Sequence, residues 1–502
     1  MSTELVEKIV KARKVGVPLL SVSTPDQFAL AEAIANALPK DQPAVSWDCA
    51  RGLRGLNEEG KNALAGVGSA GEIEASKVAS LAFGLLVPKL PKKSTVIALN
   101  LQRHFYDPEI VQAVANLRDP FKKSGRILVA LAPAVDLPAE LRADVVALDD
   151  PLPDDAGYST IIERVHGAIP GSAPATIELA PFVPAVRGLS AFVAEQVLAM
   201  SIDTKARTLV KADAWKLKRE AIGQTRGLSM TLDGPALADV KGLDQLVGAY
   251  RLLFSGPRRP ECIVLIDEVE KMMAGLGSGG GPGDNTGVTQ DALMNILTSM
   301  EGWGWTGSIL VGIPGGGKTM FGEAIGAAHG VPLVKLDVGA MKQKHVGESE
   351  AAFREAMRAI RNVGRDRVVV LATCNQISAM PPELQSRFRL GTWYIDLPGE
   401  EERDAMANVY RARYGLHPHA PMPDMVGWTG REIRNACENA YAFGISPKEA
   451  ARYLVPISKA EPTSIERLRS LAHGRFLSAA EPGVYDKGKI LEPVGAGRQI
   501  EG

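Results

Sequence analysis

One segment of the chain has the glycines, lysine and threonine of a phosphate-binding loop. Residues 312–319 read GIPGGGKT, and they lie between an apolar run, SILV, and a run compatible with a helix, MFGEAIGAAHG. In such a strand–loop–helix the backbone N–H groups surround phosphate oxygens at the helix N-terminus, while the lysine reaches the β- and γ-phosphates. The hydroxyl of the threonine binds Mg²⁺. We therefore predict a nucleotide site formed by Gly312, Ile313, Pro314, Gly315, Gly316, Gly317, Lys318, Thr319 and Met320.

Two acidic residues follow a second apolar run. The segment CIVLIDE places Asp267 and Glu268 at the carboxyl end of a predicted buried strand. Removing two carboxylates from water there is costly unless they meet a cation or a water molecule that they activate. Asp267 is suited to bind Mg²⁺ together with Thr319, and Glu268 to polarise an attacking water. A strand that ends in Asp-Glu is also typical of an exposed sheet edge, so this assignment depends on the phosphate loop.

A third predicted strand ends in a polar residue. Residues 368–376 read VVVLATCNQ, which brings Asn375 to the carboxyl end of a buried strand. An amide in this position can orient the attacking water or contact the γ-phosphate. The alternative is that Asn375 caps a turn at the end of its strand.

The composition limits the class of protein. A chain of 502 residues with 45% hydrophobic and 23% charged residues is typical of a soluble protein of several domains. Its net charge of -1 gives no overall attraction to nucleic acid or to a membrane. The four cysteines are far apart and form no C-x-x-C motif, which argues against a disulfide framework or a zinc site. With no apolar run of bilayer length and no signal segment, we expect a cytoplasmic protein.

Strand-like and helix-like stretches alternate in two parts of the chain, which predicts an α/β fold with parallel sheets. The first part has neither a phosphate loop nor an Asp-Glu pair, so we expect it to have no nucleotide site. The predicted domains are an α/β domain in 1–165, a helical lid or linker in 166–237, an ATPase core in 238–398, a helical lid in 399–478 and a tail in 479–502.

The second half of the chain resembles AAA+ ATPases of the AAA group. VGESEAAFREA resembles the V-G-E-S-E segment of that group, ATCNQISAMPPELQSRF its sensor-1 and arginine-finger region, and WTGREIRNACENA its lid motif. The whole chain resembles AAA proteins encoded by plastids and cyanobacteria, in which a degenerate AAA-like half precedes an active one. The resemblance is strong in the second half and weak in the first. It implies a P-loop NTPase core of the AAA+ type.

The resemblance also implies roles for further residues. Asn375 falls at sensor 1, and Arg431 falls at the sensor-2 position, where the AAA group usually has alanine. The arginine finger, which reaches the nucleotide of a neighbouring subunit, falls on Arg387 or Arg389, because the usual R-P-G-R-F-D reads Q-S-R-F-R here. Gly242, within VKGLDQL, lies in the segment that packs on adenine.

A central pore loop is the last feature that the resemblance implies. Lys344, His345 and Val346 occupy its position, and His345 stands where AAA proteins that remodel polypeptides often have an aromatic residue. Because this position has a histidine, the sequence leaves open how strongly the loop would bind a polypeptide. The alternative is that His345 is a solvated loop residue.

The two main motifs occur in the reverse of the order in the AAA group, as in a circular permutation. All strands of a parallel sheet end at one edge, so exchanging strand–helix units alters connections at the opposite edge and leaves the site unchanged. The resemblance implies the sheet order 5-1-4-3-2, and here the chain passes through strand 3, then 1, 2 and 4. Each crossover can stay right-handed. We predict the usual sheet order, with Asp267 beside Thr319.

These features predict a motor that hydrolyses ATP with Mg²⁺, a hexameric ring that remodels a protein client or threads it through a central pore. An arginine finger acting in trans requires a neighbouring subunit. Two alternatives remain. A nucleic-acid-associated motor of the helicase-loader or packaging type is disfavoured by the neutral charge and by the lack of a recognisable nucleic-acid module. A nucleotide-binding scaffold would not need the base Glu268. No membrane partner is expected.

Overall fold

The structure is a computed structural model that describes residues 3–135, 137–170, 178–273, 286–341, 346–375 and 385–489. The chain divides into two compact units, Met1–Trp215 and Lys216–Gly502. The finer division into five parts stays a prediction. Within the described ranges no helix combines the length and apolar character needed to cross a membrane.

The first unit is built on a six-stranded sheet. Its strands, in the order of the chain, are β1 (Leu19–Ser23), β2 (Ala44–Asp48), β3 (Gly52–Gly55), β4 (Thr95–Leu99), β5 (Ile127–Ala132) and β6 (Val146–Asp149). The sheet order is β3-β2-β4-β5-β1-β6, and every neighbouring pair is parallel except β2–β3. Val96 and Ala98 belong to one hydrophobic cluster, whereas Ile97 and Leu99 belong to another. Both faces of the sheet are therefore covered, as a parallel sheet requires.

Helices and one small hairpin complete this unit. The hairpin pairs β7 (Ile202–Asp203) with β8 (Thr208–Leu209). The helices are α1 (Thr3–Lys14), α2 (Gln27–Ala37), α3 (Glu58–Ala65), α4 (Ala70–Ala75), α5 (Ala79–Leu81), α6 (Pro108–Asn116), α7 (Arg118–Ser124), α8 (Ala139–Arg142), α9 (Asp155–Gly167), α10 (Val183–Val186) and α11 (Ala191–Met200). Helix α12 (Lys211–Gly223) spans the boundary between the two units.

The second unit contains a seven-stranded sheet. Its strands are β9 (Leu228–Thr231), β10 (Cys262–Ile266), β11 (Thr306–Gly312), β12 (Leu333–Leu336), β13 (Val368–Cys374), β14 (Thr392–Ile395) and β15 (Leu477–Ser478). The sheet order is β15-β14-β11-β13-β10-β12-β9. The five strands from β14 to β12 follow the predicted order 5-1-4-3-2, so the prediction of the sheet order is confirmed.

Two short strands extend this sheet beyond the prediction. β9 pairs antiparallel with β12 at one edge, and β15 pairs parallel with β14 at the other. The helices are α13 (Asp244–Ser255), α14 (Glu270–Met273), α15 (Thr286–Trp303), α16 (Lys318–His329), α17 (Val346–Gly364), α18 (Glu400–Arg413), α19 (Gly430–Phe443), α20 (Pro447–Ala450), α21 (Ile457–Ala460) and α22 (Pro462–Ala472).

The start of helix α19 illustrates how local sequence fixes an element that reaches the site. Thr429 accepts a hydrogen bond from the N–H of Glu432, and the Glu432 carboxylate accepts one from the N–H of Thr429, which completes a capping box. The helix ends before Gly444, whose φ of 66° suits a glycine at that position. Arg431 is thereby held in the first turn of α19.

Close packing beneath β10 and β13 predicts that Gly364→Ala destabilises the second unit. A Cβ at Gly364 would lie 2.4 Å from Cγ2 of Val368 and 2.7 Å from Cβ of Cys262, at the starts of the two strands. Overpacking of this kind costs about 1–3 kcal/mol, and each kcal/mol lowers the melting midpoint by roughly 2–4 °C. Gly248→Ala, inside α13 with no atom within 4 Å of the added methyl, is the control and should stabilise slightly. Equal midpoints in thermal denaturation would contradict this account.

Candidate nucleotide site

A cleft of about 340 Å³ opens in the second unit where β10, β11 and β13 end. The phosphate loop, the acidic pair, Asn375 and residues on α18 and α19 line it. The predicted site residues that line it are Gly242, Asp267, Glu268, Pro314, Gly315, Gly316, Gly317, Lys318, Thr319, Met320, Asn375 and Arg431. The structure thus brings together residues that are far apart in the sequence.

The phosphate loop adopts a conformation that favours glycine at two positions. Gly315 has φ +89° and Gly317 has φ +91°, both in the left-handed region. A Cβ on Gly315 would also lie 3.0 Å from Cβ of Arg431, so the loop and α19 can approach this closely only without a side chain there. Gly317 immediately precedes α16, so the loop ends at the N-terminus of this twelve-residue helix. That end of a helix attracts anions such as phosphate.

Lys318 is buried and uses its ammonium group within the loop. Its Nζ donates hydrogen bonds to the carbonyl oxygens of Gly312 at 2.7 Å and Ile313 at 2.9 Å, and to Oδ1 of Asn375 at 2.8 Å. Gly312 and Ile313 therefore support the lysine from beneath the loop. Burial lowers the pKa of Lys318 to about 8, although the nearby carboxylates of Glu270 and Asp267 oppose this shift. An anion in the cleft would favour the charged form of the lysine.

The acidic pair meets the phosphate loop across the cleft. The hydroxyl of Thr319 lies 3.5 Å from Oδ2 of Asp267, so the predicted proximity of these two side chains is confirmed. Hydroxyl and carboxylate oxygens are ligands that Mg²⁺ prefers. Glu268 has a φ of +53°, and its N–H donates to the hydroxyl of Thr373 at 2.9 Å. That hydroxyl in turn donates to Oδ1 of Asp267.

Sequence reasoning missed three residues that contribute to the cleft. The carboxylate of Glu270 accepts a hydrogen bond from the N–H of Asn375 at 3.1 Å, and thereby fixes the backbone of Asn375. Its Oε2 is buried and has no hydrogen-bond partner among the described residues. Arg434 lines the cleft one helical turn after Arg431, and Tyr410 lines it from α18. The i, i+3 spacing of the two arginines was the available signal.

The two candidate finger arginines lie away from this cleft. Arg387 is partly exposed, and its Nη1 lies 3.1 Å from Oε2 of Glu301. Arg389 is exposed. Neither residue lines the cleft of its own chain, which is the placement that a contact in trans requires. In the predicted pore loop, Lys344 and His345 lie outside the described residues, and Val346 is the first residue of α17.

The side chains present fit a nucleoside triphosphate with Mg²⁺. The N-terminus of α16, Lys318, Arg431 and Arg434 supply positive charge for a polyphosphate, and the cradle at Gly315 leaves room that a Cβ would fill. Asp267 and Thr319 supply oxygen ligands for the metal. The segment around Gly242 and the side chain of Tyr410 line the remainder of the cleft, where a base would lie.

The first unit has a different arrangement where its strand β1 leads into α2. The hydroxyl of Thr24 donates to Oδ2 of Asp150 at 2.7 Å, and burial raises the pKa of this aspartate. The carboxylate of Asp26 accepts hydrogen bonds from the hydroxyl of Ser190 at 3.0 Å and the N–H of Phe192 at 3.2 Å. Carboxylates thus lie close to the segment between β1 and α2, and the absence of a nucleotide site from this unit stays a prediction.

Each of the two units contains a segment that matches a known protein family. A model for the N-terminal domain of SpoVK-like AAA ATPases matches residues 2–149, and the model of the ATPase family associated with various cellular activities (AAA) matches residues 308–364. An uncharacterized AAA domain-containing protein, ycf46, of Guillardia theta is 22% identical over 450 residues, which cover 80% of this chain and 78% of that protein. The ycf46 protein of Pyropia yezoensis is 24% identical over 232 residues, 35% of this chain and 47% of that protein.

The depressed pKa of Lys318 predicts that nucleotide affinity falls as the pH rises. Below pH 8 the lysine is already charged, whereas above pH 8 a phosphate must bind to a neutral amine or recruit a proton. We expect ATP to bind about tenfold more weakly at pH 9 than at pH 7, measured by titration with a fluorescent ATP analogue. Lys318→Ala is the control, and its weaker binding should not vary with pH in this range. Parallel pH profiles for both proteins would refute the prediction.

Proposed function

The chain belongs to the AAA family of ATPases, and from this premise we propose that it hydrolyses ATP as a ring-shaped motor acting on a protein client. The observation that carries the proposal is the meeting of three motifs in one cleft. Lys318 contacts Asn375 at 2.8 Å, and Thr319 lies 3.5 Å from Asp267, although each pair is more than fifty residues apart in the sequence. The reversed order of the motifs is, in this proposal, a rearrangement that leaves the chemistry unchanged.

Each group in the cleft has a role in the proposed reaction. The loop N–H groups and Lys318 bind the phosphates, and Mg²⁺ held by Thr319 and Asp267 would neutralise part of their charge when bound. Glu268 accepts a proton from the attacking water, and Asn375 orients that water. Arg431 and Arg434 line the cleft from α19 and would add positive charge near the bound phosphates. Such groups stabilise the charge that develops during phosphoryl transfer.

The proposed ring rests on the position of the finger arginines. Arg387 and Arg389 lie outside the cleft of their own chain, so a cleft becomes complete only when a neighbouring copy supplies one of them. In the described chain Arg387 pairs with Glu301, and assembly would exchange this partner for a phosphate. The hexameric state and the threading of a client through the loop of Lys344, His345 and Val346 follow from the family resemblance.

Replacement of the proposed base should separate binding from turnover. In Glu268→Gln the loop, Lys318 and Thr319 are untouched, so we expect ATP to bind with unchanged affinity while hydrolysis slows about 100- to 10,000-fold. Lys318→Ala is the comparison, because it should lose binding as well. Release of phosphate and equilibrium binding are measured on the same preparations. Equal turnover of wild type and Glu268→Gln would contradict the proposed mechanism, and absence of turnover in the wild type would favour a nucleotide-binding scaffold.

A mixing experiment tests whether the finger acts in trans. We expect Arg387→Ala, or else Arg389→Ala, to lower turnover about 1,000-fold or more. Mixing that variant with Glu268→Gln should restore activity, because an intact cleft of the first can receive an intact finger from the second. Mixing Lys318→Ala with Glu268→Gln is the control and should restore no activity. Each change disables the nucleotide cleft of its own subunit, so no subunit in this mixture has an intact cleft. If neither arginine variant loses activity at any protein concentration, the ring argument fails.

A further inference from the structure

Thr373 makes contacts with three consecutive residues that follow β10. It lies in β13, where Ile266 of β10 pairs with Ala372, so the next positions along the two strands are Asp267 and Thr373. Its hydroxyl donates to Oδ1 of Asp267 and accepts from the N–H of Glu268 at 2.9 Å. Its carbonyl oxygen accepts from the N–H of Val269 at 3.0 Å. Thr373 is fully buried, so water does not compete for these bonds.

The backbone of Glu268 needs such support because its conformation is unfavourable. A φ of +53° lies in the left-handed region, which costs a residue with a Cβ about 1–2 kcal/mol. Other described residues outside glycine share this feature, namely Lys93, Asn100, Arg207 and Arg365, but none of them lines the nucleotide cleft. Strain of this kind persists where surrounding contacts fix it, and it is concentrated at functional sites. Here the fixing contact is the bond from Glu268 to Thr373.

The chemistry of a hydroxyl explains why this position suits threonine. A hydroxyl has one hydrogen to donate and lone pairs to accept. Because the hydrogen points to Asp267, a lone pair is directed to the N–H of Glu268. One oxygen atom therefore orients both the carboxylate that would bind the metal and the backbone that carries the base. Valine has nearly the same shape, but it would leave the N–H of Glu268 without this acceptor and Asp267 without this donor.

We propose that Thr373 is a positioning residue for hydrolysis, which acts through Asp267 and Glu268 and contacts neither the nucleotide nor the water. The inference rests on the proposed function of the cleft. The hydroxyl of Thr373 would thus have two effects that can be measured separately. It supports metal binding through Asp267, and it supports proton transfer through Glu268. The phosphate loop and Lys318 have no bond to its hydroxyl among the described contacts, so binding of nucleotide without metal is independent of it.

Substitutions at Thr373 test the proposal in the full-length protein. We expect Thr373→Val to lower kcat for ATP about 10- to 100-fold and to raise the Mg²⁺ concentration for half-maximal turnover. Affinity for ADP in EDTA should equal that of the wild type. Thr373→Ser keeps the hydroxyl, so its kcat and its Mg²⁺ concentration for half-maximal turnover should be close to those of the wild type. Thr95→Val is the matched control, because the hydroxyl of this buried threonine has no hydrogen-bond partner among the described residues.

The outcomes distinguish positioning from a merely structural role. A lower melting midpoint with unchanged kcat and Mg²⁺ dependence would overturn the proposal, as would a serine variant as impaired as the valine variant. If Thr373→Val does not fold, Thr373→Cys, of similar size but with weak hydrogen-bonding capacity, takes its place. If the wild type does not hydrolyse ATP, the proposed function fails separately. The Mg²⁺ dependence of nucleotide affinity then still tests the contact between Thr373 and Asp267.

Discussion

The pairing of β13 with two different strands is the interaction on which the whole site depends. On one side β13 pairs in parallel with β11, which leads into the phosphate loop, and on the other with β10, which leads into the acidic pair. Because the three strands run in the same direction, their ends meet at one edge. Thr373 and Asn375 near the end of β13 then contact the groups on either side. The chemistry of the cleft is thus a result of strand register.

The buried strands β10, β11 and β13 and the motifs at their ends could be predicted from the sequence, because each has a local pattern, whereas the sheet order was implied by the family resemblance. Buried parallel strands are apolar runs, and the loop that binds phosphate has a fixed spacing. Thr373 and Glu270 were not predicted as site residues, since their roles arise from contacts with residues 105 positions away. Only the register of β10 against β13 brings these residues together. The strands β9 and β15 are too short to show a period, and their partners alone define them.

The balance of charge in the cleft also depends on the fold. Lys318 is surrounded by carbonyl oxygens and Asn375, and burial keeps its pKa low although two carboxylates lie near. Arg431 and Arg434 lie one turn apart on α19, whose N-terminus is closed by the capping box at Thr429, and both line the cleft. A cleft lined by both acidic and basic side chains is suited to a polyphosphate with its metal.

The position of β13 between β10 and β11 has a consequence for how the protein is made. Both motifs are complete once the chain reaches Thr319, yet the two strands that carry them are never direct neighbours. The strand that joins them begins only at Val368. A nascent chain therefore holds all the residues of the phosphate loop and the acidic pair before it can hold a site. Assembly of the site waits for the long-range pairing of β13 with β10 and β11, and such non-local pairing is the slow part of folding in parallel sheets.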